Sequence, residues 1–157
     1  WLSKAFMELN QVFSRFEGTM LMSIVLGGIE EETGTLYFIN AEHPRLILYR
    51  DGKTFFIGRH GMQNKLGIHD EIEKVHVGKF FLKRGDVLFC GSDGKDDIII
   101  GEEEDGSKIV NSDENLFKNL VGECHSEMKQ IVSRINKNGE LLDDISLLRI
   151  EYKETSE

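Results

Sequence analysis

Val87-Leu88-Phe89-Cys90-Gly91-Ser92-Asp93-Gly94 is an apolar run that reads as a strand and ends in a turn carrying one carboxylate. A second segment has the opposite order. Leu141-Leu142-Asp143-Asp144 opens onto Ile145-Ser146-Leu147-Leu148-Arg149-Ile150, so its carboxylates precede a strand. Short apolar runs bounded by Gly, Asp and Ser are strand signals. Asp93 and Asp143 stand 50 positions apart, each at a strand end. Hard divalent cations such as Mg²⁺ and Mn²⁺ take oxygen ligands from rigid backbone and keep several waters. If the two aspartates share one centre, the chain belongs to a metal-assisted hydrolase. If they do not, they are turn aspartates favoured by turn chemistry alone.

Working outward, Leu2, Phe6, Leu9, Phe13 and Phe16 recur at helical spacing and predict a helix over 2–16, with Ser3 a candidate N-cap and Glu17-Gly18 its stop. Strands are expected at Met20–Leu26, Thr35–Asn40, Leu46–Tyr49, Thr54–Ile57, Glu73–Val77 and Val87–Cys90, with Glu30–Gly34 a turn. Arg50-Asp51-Gly52-Lys53 is a hairpin turn, because both central residues must accept positive φ. Residues 96–112 are acidic and read as loop. Ser112 caps a helix over about 113–121, which Gly122 interrupts. A second helix starts from Ser126, buries Met128, Ile131, Val132 and Ile135, and stops at Gly139. A last strand over Ile145–Tyr152 is apolar on both faces and is expected to be central. The order implies one α+β domain over 1–157 with mostly antiparallel pairing, its three helices covering one face.

The chain has 157 residues, 39% hydrophobic, which suits one packed domain. Its net charge of −9 argues against nucleic acid or anionic membrane as a partner, since both reward basic patches. No apolar run reaches the roughly 20 residues of a membrane span. Trp1 begins inside an amphipathic pattern, as if in the middle of a longer protein. Cys90 and Cys124 form no spaced motif, and Cys90 reads as a buried strand thiol; a reducing cytoplasm is the expected location.

Other chemistries lack their residues. Gly58–Lys65 has no Gly-Lys-Ser/Thr ending, and no Gly-x-Ser-x-Gly elbow occurs. Cys124-His125 is adjacent on a helix and faces two directions, which does not make a zinc site. His60, His69, His76 and His125 are scattered. Asn40-Ala41-Glu42-His43-Pro44-Arg45 is a polar cluster after a strand, where His43 is either a base or ligand, or a partner for loop backbone.

Five segments fall in a recognisable order. They are Gly34-Thr35-Leu36-Tyr37-Phe38-Ile39-Asn40-Ala41-Glu42-His43-Pro44, Lys65-Leu66-Gly67-Ile68, Leu82-Lys83-Arg84-Gly85-Asp86-Val87-Leu88-Phe89, Ser92-Asp93-Gly94 and Asp143-Asp144-Ile145-Ser146-Leu147-Leu148. Together they resemble the SpoIIE/RsbU-type branch of the PPM (type 2C) metal-dependent serine/threonine protein phosphatases. The resemblance implies an α-β-β-α sandwich of antiparallel sheets flanked by helices, incomplete here at its N-terminus. It implies a binuclear Mn²⁺ or Mg²⁺ centre with Asp93 and Asp143 as ligands. Ser92, Gly94, Asp144 and Ser146 then stand beside those ligands, with Ser92 and Ser146 where the family has Thr, and Asn40 and His43 form a loop of the site. A metal-generated hydroxide would attack phosphorus, so no protein nucleophile is expected.

The resemblance further implies a phosphorylated bacterial regulatory protein as substrate, of the anti-sigma-factor-antagonist type, and leaves homodimerisation open. The sequence departs from the family pattern in two ways. Glu42 replaces the glycine of Asn-Ala-Gly-His, and the Gly-Gly-Asp and Asp-x-Ser-Gly-His-Gly segments that supply the bridging aspartates do not occur. The chain alone is therefore expected to bind metal weakly and to be inactive or weakly active. A catalytically inactive regulatory or dimerisation module of phosphatase fold is the alternative.

Overall fold

Antiparallel ladders organise the chain. The computed structural model describes residues 1–59, 63–68 and 72–153. Among these lie three helices and three antiparallel sheets. The residues divide into two compact units, one of 1–45 and 58–84, the other of 46–57 and 85–157.

In the first unit, α1 (Leu2–Ser14) lies on the sheet β1-β2-β5, where β1 is Ile24–Glu30, β2 Thr35–Ala41 and β5 Gly78–Phe81. The helical stripe expected from sequence packs as expected. Leu2 and Phe6 are buried against Ile39 and Ala41 of β2 and against Leu66, and Leu9 and Phe13 flank them. Burying each such side chain stabilises by about 1.5–3 kcal/mol. Phe16 lies beyond the helix and is exposed. The helix starts two residues earlier than a Ser3 cap requires, with Trp1 in the cap position and no side-chain cap bond. Asn10 is buried on α1 and accepts the Gly67 N–H at 3.0 Å, which ties the helix to the segment around Leu66.

The loop after β2 contains the departure at Glu42, whose φ is +47°. This is the left-handed region that favours glycine, so the acid occupies the backbone conformation a glycine would take. Asn40 closes the loop, accepting the His43 N–H at 2.9 Å and donating to the Pro44 carbonyl at 3.3 Å. The His43 ring nitrogen Nδ1 lies 3.1 Å from the Pro44 carbonyl, so the imidazole serves loop backbone.

The second unit holds the sheet β10-β6-β3-β4: β3 is Leu46–Arg50, β4 Lys53–Ile57, β6 Val87–Gly91 and β10 Leu147–Glu151. The β3–β4 hairpin turns as expected, with positive φ at Asp51 and Gly52. Its helices α2 (Leu116–Glu123) and α3 (Met128–Asn138) bury Phe117, Leu120, Val121, Ile131 and Ile135 with Ile47, Val87 and Phe89 of the sheet. Phe89 and Phe117 meet edge to face at 6.3 Å. At the start of β6 the buried Asp86 takes a two-pronged ion pair from Arg50, and its carbonyl accepts the Tyr152 N–H at 2.9 Å. That clasp fixes the register of β3, β6 and β10.

Several expectations change. The segment over 96–112 is not loop throughout: β7 (Ile98–Glu102) and β8 (Lys108–Val110) form a hairpin, and β7 also pairs with β9 (Glu140–Leu141). The β-branched run Ile98-Ile99-Ile100 carried that signal, masked by the acids after it. The strand expected over Glu73–Val77 forms instead at Gly78–Phe81, and the first strand is Ile24–Glu30 rather than Met20–Leu26. The last strand is an edge strand of its sheet, not a central one. The helices do not share one face of one sheet: α1 belongs to the first unit, α2 and α3 to the second.

Gly122 does not interrupt α2, which continues to Glu123, because one glycine costs a helix only about 1 kcal/mol. Cys124 and His125 follow the helix end. Ser126 does not cap α3, since it sits buried at φ +61° and Glu127 takes the cap position. Val132 is exposed, so the buried face of α3 is narrower than expected. Gly139 does end α3, and the position admits only glycine: a Cβ there would lie 2.1 Å from the Ile99 carbonyl oxygen. His60 and His69 lie outside the described residues.

Two stability predictions follow from these backbones. Glu42→Gly is expected to raise stability by up to about 1 kcal/mol by relieving the left-handed backbone. Gly122→Ala is expected to raise it by about 0.5–1 kcal/mol, because the new Cβ would meet Thr54 at an ordinary 3.5 Å. Urea unfolding followed by circular dichroism checks both; a fall in midpoint for either refutes its reading.

Candidate metal centre

The site is built where β6 ends and β10 begins. These strands pair antiparallel with Gly91 opposite Leu147, so the residues after Gly91 lie beside those before Leu147. β6 is buried along Val87–Phe89, which makes the end of the strand a fixed platform. Ser92 carries the ladder one step further. Its N–H donates to the Ser146 carbonyl at 3.0 Å, its Oγ accepts the Ser146 N–H at 3.0 Å, and its hydroxyl donates to the Asp144 carbonyl at 3.4 Å.

A single 3₁₀ turn, Asp93–Lys95, then reverses the chain. The turn is possible because Gly94 has no side chain: a Cβ there would lie 2.4 Å from the Asp144 carbonyl oxygen and 3.3 Å from that of Asp143. The backbones of the two aspartate segments are thus in contact at Gly94. Gly91 is hemmed in likewise, by Leu147, the Lys95 stem and the Ser146 carbonyl.

The third sheet delivers the other arm. β7 starts three residues beyond the turn, and β9 pairs with it through Ile98–Leu141 and Ile99–Glu140. The Leu142 N–H donates to the Asp97 carbonyl at 3.1 Å. The chain enters Asp143 from that bond.

Asp93, Asp143 and Asp144 are exposed. The Asp93 carboxylate accepts the Gly94 N–H at 3.2 Å and that of Asp143 accepts the Asp144 N–H at 2.7 Å, so each is oriented by the next peptide. An open depression of about 470 Å³ is lined by Leu141–Ile145. The donors are hard carboxylate oxygens, which suit Mg²⁺ or Mn²⁺. By donor type Asp93 and Asp143 suit such an ion, and among the described residues no three His, Cys, Asp or Glu side chains converge as a metal site. Asn40 and His43 lie in the first unit, Asp93 and Asp143 in the second.

Some residues around the turn were not singled out in sequence. Lys95 is buried and ion-paired with Asp96. Burial pushes the Asp96 carboxyl above its usual range, an effect opposed by Lys95. Asn111 donates to the Asp96 carbonyl at 3.0 Å. A lone lysine between Asp93-Gly94 and Asp96-Asp97 was the available signal. Cys90 is half-buried rather than buried, and its thiol is pushed up by desolvation, with Lys95 pulling weakly the other way. Cys124 is the fully buried cysteine.

The family model described as Stage II sporulation protein E (SpoIIE) matches residues 2–153. No curated protein sequence matches the chain. Among solved structures, the RsbU and RsbW domains of Rv1364c from Mycobacterium tuberculosis align with 100% of this chain and 43% of their own, at 18% identity and a TM-score of 0.77. The SiaA-PP2C domain of Pseudomonas aeruginosa aligns over 94% of this chain and 59% of its own, at 18% identity and a TM-score of 0.74. The phosphatase domain of SpoIIE from Bacillus subtilis aligns over 100% and 69%, at 14% identity and a TM-score of 0.61. The chain therefore spans less than half of the first of these and about three fifths of the second. With its antiparallel sheets and helices matching these folds and the family model covering almost all of it, the chain belongs to the SpoIIE family of PPM-type phosphatase domains.

Proposed function

We propose that this chain is the C-terminal larger part of a metal-dependent serine/threonine protein phosphatase domain, and that Asp93 and Asp143 are its contribution to a Mn²⁺ or Mg²⁺ centre. One observation carries the reading: Ser92 and Gly94 bring the two aspartate segments into backbone contact although 50 positions separate the carboxylates. When bound, a divalent pair supplies charge neutralisation for a phosphoryl group and an activated water.

The chain's own residues orient the carboxylates. The Gly94 and Asp144 amides each fix one carboxylate oxygen, and Ser92 and Ser146 fix the distance between the loops. No thiolate attack fits, because Cys124 is buried and desolvation pushes the half-buried Cys90 thiol up. The substrate class is a phosphoserine or phosphothreonine on a bacterial regulatory protein of the anti-sigma-factor-antagonist type. Family membership supports this, as does the likeness to a protein that joins RsbU and RsbW domains. A cytoplasmic setting accords with free thiols and with the absence of a long apolar helix among the described residues.

The second reading, a non-catalytic regulatory or dimerisation module, is favoured by the same incomplete ligand set. Calorimetric titration with Mn²⁺, alongside hydrolysis of a phosphoserine peptide, separates the two. The enzyme reading expects Mn²⁺ binding and Mn²⁺-dependent turnover that Asp93→Asn and Asp143→Asn each reduce by roughly 10²-fold or more, with the fold intact. Saturable Mn²⁺ binding that survives both substitutions removes these aspartates from the centre. No turnover by the parent protein at saturating Mn²⁺ favours the module.

A separate check concerns the thiols. Iodoacetamide at pH 7.5 is expected to leave Cys90 and Cys124 largely unmodified in the folded chain and to label both in denaturant. Peptide mass spectrometry reads the result, and rapid labelling of folded Cys90 contradicts a thiol pushed up by desolvation.

A further inference from the structure

We propose that Lys95 is a positioning residue for Asp93, its buried ion pair with Asp96 pinning the turn from which the Asp93 carboxylate projects. The contact stands on the structure alone, and only its consequence for metal rests on the phosphatase reading.

Lysine is almost never fully buried without a partner. Here the Lys95 side chain is 5% exposed. Its stem packs on Gly91, where a Cβ would come within 3.0 Å of Lys95 Cδ. Its Nζ lies 5.4 Å from the centre of the Phe117 ring and pairs with the Asp96 carboxylate. The other carboxylate oxygen, Asp96 Oδ1, is buried and has no hydrogen-bond partner among the described residues. The Lys95 ammonium is therefore the main compensation for that charge.

Asp96 in turn holds the turn. The Asp96 and Asp97 N–H groups both donate to the Asp93 carbonyl, at 2.7 and 3.1 Å, and the Lys95 N–H reaches the Ser92 carbonyl at 3.3 Å. Asn111 holds the Asp96 carbonyl from outside. The path from ammonium to carboxylate to peptide to Asp93 is short and begins at a buried lysine. Removing one member of a buried pair leaves the other charge uncompensated, which is far costlier than removing both. The charge-neutral double variant Lys95→Met/Asp96→Asn consequently keeps the core and loses only the pin.

The test compares the chain with that double variant and with Lys95→Met. Amide hydrogen exchange without metal is the first readout. Exchange at Asp96 and Asp97 is expected to quicken by about tenfold or more while Ile131 and Ile135 in α3 stay unchanged, since local opening can differ from global unfolding. Mn²⁺ affinity by electron paramagnetic resonance is the second. Loss of a supporting partner is expected to weaken it by roughly 10–100-fold.

Unchanged exchange at Asp96 and Asp97 in the double variant overturns the proposal. So does equal acceleration at Ile131 and Ile135, which would make the pair a general fold element. Unchanged Mn²⁺ affinity in the double variant, in a chain that loses Mn²⁺ on Asp93→Asn, overturns the link to Asp93 while sparing the metal reading. Local quickening in a chain that binds no Mn²⁺ supports the pin and counts against the metal reading instead.

Discussion

The reciprocal hydrogen bonding of Ser92 with Ser146 is the constraint on which the rest of the site depends. A two-strand ladder ordinarily ends where one chain turns away. Here the ladder of β6 and β10 ends at Gly91 and Leu147, and the Ser92 backbone and hydroxyl add one more step to it. A threonine would make the same contacts through its hydroxyl, whereas a residue without that hydroxyl would leave the Ser146 N–H without its partner. Each such bond contributes only about 0.5–1.5 kcal/mol. Its importance is geometric, because it sets where both aspartate segments leave the sheet.

Distance along the chain is overcome by stacking three local devices. Asp86 and Arg50 fix the far end of β6, the buried stretch Val87–Phe89 carries that register forward, and Gly94 lets the turn touch the Asp144 backbone. Like charges brought together this way cost little while they stay wet: two unit charges 4 Å apart interact by about 1 kcal/mol in bulk water. The exposed carboxylates at Asp93 and Asp143 can therefore be carried by the fold without a cation to hold them. Lys95 and Asp96 face the opposite economy, since burial strengthens both their attraction and the penalty for breaking it.

The parts of this arrangement that were legible in sequence are those with local causes. Asp51-Gly52 announces its hairpin because two successive positive-φ residues require it, and the stripe Leu2, Phe6, Leu9 and Phe13 announces α1 because helical periodicity is local. The strands beside Asp93 and Asp143 were legible for the same reason, although β10 starts at Leu147 rather than Ile145. What sequence hid was long-range. The isoleucines of 98–100 look like part of an acidic loop until β9 supplies Ile98 and Ile99 with partners at Leu141 and Glu140. The closing strand looks central from its apolar faces, but those faces say nothing of which neighbours pair with it. Nothing local singles out Lys95, because the Phe117 ring that faces its ammonium comes from much later in the chain.

Glu42 and Lys95 differ in what they ask of the fold. Glu42 adopts the left-handed backbone of a glycine, and its side chain is exposed, so the cost is confined to one residue of about 1–2 kcal/mol. The loop keeps its closure because Asn40, not residue 42, makes the bonds to His43 and Pro44. Lys95 cannot be local in this sense. Its stem touches β6, its ammonium faces α2, and its carboxylate partner holds the Asp93 peptide. A charge embedded among three elements couples them, so a change in any one of β6, α2 or the Asp93 turn is felt by the other two. The position of Asp93 is in that sense a property of the whole second unit rather than of the turn that carries it.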